Sequence, residues 1–398
     1  MCVFAGALLC VILLSLPPLT PAEVVQKFSS NEDCSGFFVN PKFPNLPGIM
    51  KDGNIMDQNR YKALCQFYKN KYRFATLYDT TNKIPVFSAY KYTGKTETTT
   101  RSEQWLYEPQ LEKSSEKEMK AVNDQDIYEN QASNNNYKGS VEEMCVNRGH
   151  LFPVQHASDG ETANSTFTLT NIVPQKKSFN GGSWADMETK VGQKMSESCR
   201  DQNGTVEAYV VTGAVPGKKK LKNKVNVPKL MWTAFCCRKK SGKWRSMAHW
   251  AENKDEQTAL EPCSVKNLQE ELQKHYGPTV QIFPDECNAE PVPLGPCGTA
   301  VPPTGTGSLR LDNPPLTKER SCQTADRHLV LSWNGQFGES MEKAWVEKSC
   351  LFLGRLWNSG RYNLRSSLLP VPVKNLQTEP GSTDRLLSGV YRTWKQQK

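Results

Sequence analysis

Two adjacent cysteines, Cys236 and Cys237, close the run "LMWTAFCC" and limit what this chain can fold into. Neighbours on a β-strand face opposite sides, so this pair needs two partners on two sides of a sheet. Both belong to an even set between residues 24 and 288: Cys34, Cys65, Cys145, Cys199, Cys236, Cys237, Cys263 and Cys287. None shows a C-x-x-C spacing, which argues against a structural zinc centre and for disulfides, although spacing alone leaves the pairing open. Disulfides imply an oxidising compartment.

The amino terminus agrees with that compartment. An apolar run from Val3 to Leu16 is too short to span a bilayer, and small residues follow it up to Ala22. This pattern reads as a secretory signal peptide over 1–22. No later segment is apolar for long enough to be a transmembrane helix, so a secreted protein is expected. Two sequons, Asn164-Ser-Thr and Asn203-Gly-Thr, fit a glycoprotein.

Residues 23–288 read as one domain, long enough to bury a sizeable core. "RFATLYD" (73–79) and "IPVFSAYKY" (84–92) are rich in aromatic and β-branched residues and flank a polar break, which predicts a hairpin. "TFTLTNIVPQ" (166–175), "EAYVVTGAV" (207–215) and "LMWTAFCC" (230–237) predict further strands. An amphipathic helix is expected through 179–199, with Trp184, Met187, Val191 and Met195 on one face. A second spans 264–277, opened by Ser264 and closed by Gly277. Residues 107–140 read as a polar surface excursion. The fold class is therefore mixed α+β. Beyond it, 289–316 is a Pro/Gly-rich linker, and 317–398 has no sustained periodicity and no assignable fold.

The net charge of +9 is unevenly spread. "GKKKLKNK" (217–224) carries five lysines, among them Lys218, Lys219 and Lys220, and "RKKSGKWR" (238–245) adds five basic groups. Such clusters suit phosphate polymers, because neutralised phosphates release counterions. Charge alone equally fits solvated loops.

The distances between scarcer residues decide more. Five histidines occur in the chain, and one sits in "NRGHLFP". Counting from His150, Asn171 lies 21 residues on, Asn180 30 and Glu188 38. Asn180 falls at the expected helix start. Glu188 follows it by eight residues, about 80° around a regular helix after whole turns are removed, so both border one cleft.

"NRGHLFP", "NIVPQ" and "FNGGSWADME" resemble the D-R-G-H, N-x-x-P-Q and N-x-x-x-W-x-x-x-E segments of the DNA/RNA non-specific endonuclease family. "CQFYKNKYRFATLYDTTNKIPVFSAYKYTG" is most similar to its endonuclease domain-containing 1 subgroup. The resemblance covers roughly 34–288. It implies a largely antiparallel central sheet flanked by helices, with a ββα-metal site, and hydrolysis of DNA and/or RNA with little sequence preference.

The same resemblance implies the roles. His150 is the general base, because an imidazole with a pKa near ~6.5 is partly neutral at physiological pH. Asn180 holds one Mg²⁺, with Mn²⁺ able to replace it, since an amide oxygen suits a hard cation that keeps most of its waters. Glu188 orients one of those waters. Arg101, in "TTTRSEQW", clamps the scissile phosphate. Arg148 and Asn171 bind substrate, Asn171 alternatively fixing its loop or a water of the ion; by charge rather than by resemblance, Lys218–Lys220 are expected to bind substrate phosphates as well. His156 is peripheral. Two positions depart from the family: Asn147 replaces the motif aspartate, and Gly192 stands where some members carry an arginine. The competing expectation is a catalytically silent extracellular binding protein on the same scaffold.

Overall fold

The structure, a computed structural model, describes residues 24–95, 104–255 and 258–288. The expected signal peptide, linker and tail lie outside these residues, as does Arg101.

The framework is an antiparallel sheet. Its strands are β1 (Val24–Val25), β2 (Tyr61–Tyr68), β3 (Lys71–Asp79), β4 (Ile84–Tyr92), β7 (Ala208–Val215), β10 (Leu230–Arg238) and β11 (Trp244–Glu252), hydrogen-bonded in that order. Between β4 and β7 the chain leaves the sheet for more than a hundred residues and then returns to pair directly, Ser88 opposite Thr212. Within that excursion lie β5 (Val146–His150), β6 (Ile172–Lys176) and α1 (Ala185–Ser198). After β7 come a small hairpin, β8 (Lys220–Leu221) with β9 (Val225–Asn226), and later α2 (Val265–Tyr276).

The turn between β3 and β4 explains why the expected hairpin forms there. The Asp79 carboxylate accepts from the backbone N–H groups of Thr81 and Asn82 and from the Asn82 side chain, an Asx-type closure. Arg60 neutralises it with a two-pronged contact at 3.0 and 2.7 Å.

Each face of the sheet covers its own core. Alternation along β10 sends Met231, Phe235 and Cys237 to one side and Leu230, Trp232, Ala234 and Cys236 to the other. On the first side pack Trp184, Met187, Val191 and Met195, the predicted face of α1 with the residue before it. On the second pack Val265, Leu268 and Leu272 of α2, with the amino-terminal Phe28, Phe38 and Leu46. The adjacent cysteines staple both layers: Cys237 bonds Cys199 just past α1, and Cys236 bonds Cys287 beyond α2. Cys34 bonds Cys65, and Cys145 and Cys263 are disulfide-bonded as well. No helix among the described residues is long and apolar enough to cross a membrane.

Several boundaries depart from expectation. Leu169–Asn171 is a 3₁₀ turn, so the strand foreseen from 166 starts at Ile172. The stretch 107–140 is no mere surface excursion. Glu108, Gln131, Ala132 and Tyr137 are buried, and Gln131 exchanges hydrogen bonds with the Glu108 backbone. The two sequons also differ: Asn203 lies on an exposed turn, whereas Thr166 of the other is buried and donates to the Ala163 carbonyl.

Candidate active site

The antiparallel ribbon β5–β6 pairs His150 with Ile172 and Asn147 with Gln175, and the chain runs from β6 straight into the helix. This is a strand–strand–helix unit. The helical path begins as a short turn at Lys177–Phe179, widens into a π-turn at Asn180–Trp184, and continues as α1. The π-turn changes the angle between Asn180 and Glu188 that a regular helix would set. Such turns are enriched at functional sites.

Asn180 has helical backbone angles, and its backbone N–H donates to the Lys177 carbonyl to close the preceding turn. Its Nδ2 donates to Oδ1 of Asn147, at 3.0 Å. An acceptor at position 147 is what fixes the Asn180 amide, and an asparagine supplies one as an aspartate would. The Oδ1 of Asn180 is thereby turned to the opposite edge of the amide. Beside this pair, Gln175 is wholly buried, yet neither atom of its amide has a hydrogen-bond partner among the described residues. Its side chain lies over Gly149, where an added Cβ would come within 2.0 Å of Oε1. Glycine is the residue that leaves room for the glutamine at this close approach.

His150 and Arg148 lie two residues apart on β5 and share Trp105. The imidazole sits edge-on to Phe167 at 5.0 Å and tilted against Trp105 at 5.7 Å. The Arg148 guanidinium stacks on Trp105 at 4.7 Å and on Tyr137 at 5.3 Å. Its hydrogen bond goes to the neutral Asn134 at 2.9 Å, and its buried Nε has no partner among the described residues. Desolvation lowers its pKa, the cost of holding a cation among rings.

The loop after His150 leads to Glu188. Gln155 donates to a Glu188 carboxylate oxygen at 2.9 Å. Burial pushes the Glu188 pKa up to about 8, against the downward pull of Gln155 and Trp184. His156 is not peripheral: it is buried, 2.8 Å from the Tyr90 hydroxyl through Nδ1 and 2.8 Å from the Glu188 carbonyl oxygen through Nε2. That carbonyl can only accept, so Nε2 carries the proton and Tyr90 donates to Nδ1. Burial lowers this imidazole's pKa to about 4. A Cβ on Gly192 would stand 3.2 Å from Nε2, so the small residue at 192 belongs with the histidine at 156.

His150, Asn180 and Glu188 are thus linked pairwise through the elements that carry them. The Asn147–Asn180 bond to the His150 strand makes one link, the loop 151–156 the second, and the helix the third. Asn171 is corrected: it is wholly buried with every polar atom engaged. It accepts from the Ser88 hydroxyl and the Phe152 N–H, and donates to the Phe152 and Thr166 carbonyls. It fixes the loop and leaves nothing for substrate.

The basic clusters separate. Asn253 binds Lys176, Pro174 and Pro228, which places the β6–helix junction at the Leu230 end of β10. The exposed Lys218, Lys219 and Lys220 belong to the β8–β9 hairpin at that end, and Lys222 donates to the Asn135 carbonyl beside the Asn134 that holds Arg148. The 238–245 cluster caps the other end of the nine-residue strand, about 27 Å away at ~3.4 Å per residue.

Sequence reasoning missed Trp105, Gln155 and Gln175. The buried glutamine was visible in "NIVPQ", but nothing in the string showed its lack of partners.

The chain matches the pattern of the DNA/RNA non-specific endonuclease family over residues 53–278. It is similar to the endonuclease domain-containing 1 proteins of Homo sapiens, 29% identical over 262 residues, and of Mus musculus, 28% over 263. In each comparison 64% of this chain aligns with 47% of the relative, so the chain spans about half the length of the curated proteins it matches. A chain in the crystal structure of the EndoG/EndoGI complex, described as showing the mechanism of EndoG inhibition, aligns over 54% of this chain and 84% of its own, at 17% identity and a TM-score of 0.38. By the family match, which covers more than half its length and contains the ribbon, the helix and their motifs, this chain belongs to the DNA/RNA non-specific endonucleases.

Proposed function

We propose that this protein is a secreted, metal-dependent endonuclease that hydrolyses DNA and/or RNA phosphodiesters with little sequence preference. The Asn147–Asn180 hydrogen bond carries the reading, because it commits Nδ2 to the ribbon and leaves the Asn180 amide oxygen facing away from Asn147. The donors fit a hard, largely hydrated cation. They are one amide oxygen from Asn180, with the unpartnered Gln175 amide nearby to bond the ion's waters. Among the described residues no cluster of three or more His, Cys, Asp or Glu side chains could enclose an ion, so Asn180 would hold it nearly alone. Mg²⁺, or Mn²⁺ in its place, would supply charge stabilisation to the phosphate and the departing 3′-oxygen.

The chain's own residues do the rest. His150 takes the proton from the attacking water, its ring plane set by Trp105 and Phe167. Arg148, without a carboxylate partner among the described residues in its aromatic box, lends positive charge to the bound phosphate. Glu188, carried by the helix and oriented by Gln155, accepts hydrogen bonds at the far side of the site. Lys218, Lys219 and Lys220 hold the polymer by its phosphates, which read no sequence. Arg101 is assigned the scissile phosphate on its motif alone.

Purified protein incubated with plasmid and with single-stranded RNA tests this. Nicking is expected with Mg²⁺, none with EDTA, and a loss of about 10² to 10⁴ in rate for His150→Ala, with a comparable loss for Asn180→Ala. Retarded but uncut plasmid would instead establish a silent binder.

A further inference from the structure

We propose that this protein holds a second phosphate site, distinct from the ribbon and helix, that binds the phosphate of a nucleotide. It is a hollow of about 370 Å³ on the α2 side of the sheet, lined by Arg60, Tyr61, Asp79, Lys229, His275 and Tyr276, with prolines among its walls. That volume suits a mononucleotide, and apolar walls with a few convergent polar groups are the usual form of a small-ligand site.

Three basic side chains line it. Arg60 presents Nε and one Nη to Asp79, so the opposite edge of its planar fork keeps its remaining N–H groups. The Asp79 charge is already matched by that arginine and by the turn amides. His275 has a buried Nε2 without a hydrogen-bond partner among the described residues, and the Glu271 carboxylate lies 3.6 Å away, an ion pair when the ring is protonated. Glu271 itself pairs with Lys274. Lys229 is exposed and close enough that its charge, after burial, helps lower the His275 pKa. An anion between Lys229 and His275 removes that repulsion. Tyrosine rings and prolines supply faces for a base.

The hollow also adjoins the lysine hairpin along the chain. Pro216, in its wall, leads directly into the lysine hairpin, and the Asn226 N–H of that hairpin donates to Asn82 in the Asp79 turn. The other side of the hairpin reaches Asn135, beside the Arg148 partner Asn134. The nature of the anion rests on the nuclease reading; the pocket does not.

Equilibrium dialysis in EDTA, with the full chain, measures the binding of AMP and adenosine. Fluorescence anisotropy compares a short oligonucleotide with and without a 5′-phosphate. AMP is expected to bind at least tenfold tighter than adenosine. Lys229→Gln and His275→Gln should each weaken AMP at least fivefold, Lys229→Arg should restore it, and His150→Ala should leave it unchanged. A 5′-phosphate advantage in the oligonucleotide would identify the strand as the source; its absence with AMP binding retained would identify the free nucleotide, and both sustain the site. Equal binding of AMP and adenosine, or an unaltered Lys229→Gln, overturns it. Loss of hydrolysis with AMP binding intact would refute the nuclease reading alone.

Discussion

Asn171 spends three of its four side-chain hydrogen bonds on the segments that leave His150 and approach β6, and the fourth on Ser88 of β4. Truncating it leaves several buried backbone and hydroxyl groups unpaired, each costing about 1–3 kcal/mol. Asn171→Ala should therefore lower stability by at least about 2 kcal/mol, read as a fall in the urea midpoint. An unchanged midpoint would show that the asparagine is not the loop's anchor. Motif letters suggested a substrate contact here because a string does not record burial. Asn180 differs: its position after β6 and before the helix was legible, while the Asn147 bond that turns its amide became apparent only from the ribbon's register.

At the scale of elements, α1 is held by a neutral histidine and carries a carboxyl that burial protonates. His156 and the buried His249 both have pKa values near 4, each lowered chiefly by burial. The unfolded chain protonates them near ~6.5. Stability is thus complete above that value and lost as pH falls toward 4, by about 1.4 kcal/mol per pH unit for each group. Glu188 works in the opposite sense, because its folded pKa of about 8 exceeds the unfolded carboxylate value. Its contribution is present at low pH and lost as pH rises toward 8. In EDTA, stability should peak between roughly pH 6 and 7, and Glu188→Gln should flatten the alkaline side. Denaturant melts across pH check both, and an alkaline limb unaffected by Glu188→Gln would contradict the assignment.

The legible elements were those with a period. The β3–β4 hairpin, β7, β10 and α2 announced themselves by alternation or by caps, and the Ser264 side chain does accept from the Asn267 N–H. β2 and β11 were missed for a physical reason. Strands covered on both faces lose the polar alternation, as the buried "YKALCQFY" shows. β5 is five residues with arginine and histidine in it, too short and polar to read as a strand.

For the whole molecule, the two lysine-rich segments are alike in sequence and unlike in place. One lies at the site end of β10, the other at the far end. Substituting Lys218, Lys219 and Lys220 by Gln should reduce the dependence of log K for duplex DNA on log salt by up to about 0.9 for each phosphate no longer neutralised. The same change at Lys239, Lys240 and Lys243 should leave the slope nearly intact. Equal effects from both would place the polymer elsewhere. The disulfide between Cys199 and Cys237 joins α1 to the sheet across 38 residues. Replacing both cysteines with serine should cost about 2–4 kcal/mol in thermal or denaturant unfolding.

The proposed hydrolysis depends on His150 being the group that takes the proton. The imidazole packs against Trp105 and Phe167, so His150→Gly removes a ring that can be supplied from solution. The most direct measurement is plasmid nicking by this variant with Mg²⁺, as free imidazole is titrated in. Cleavage is expected to rise with imidazole and saturate, with no rise for Asn180→Ala. Cleavage by His150→Gly at the wild-type rate without imidazole, or an equal response from Asn180→Ala, would contradict that role for the histidine.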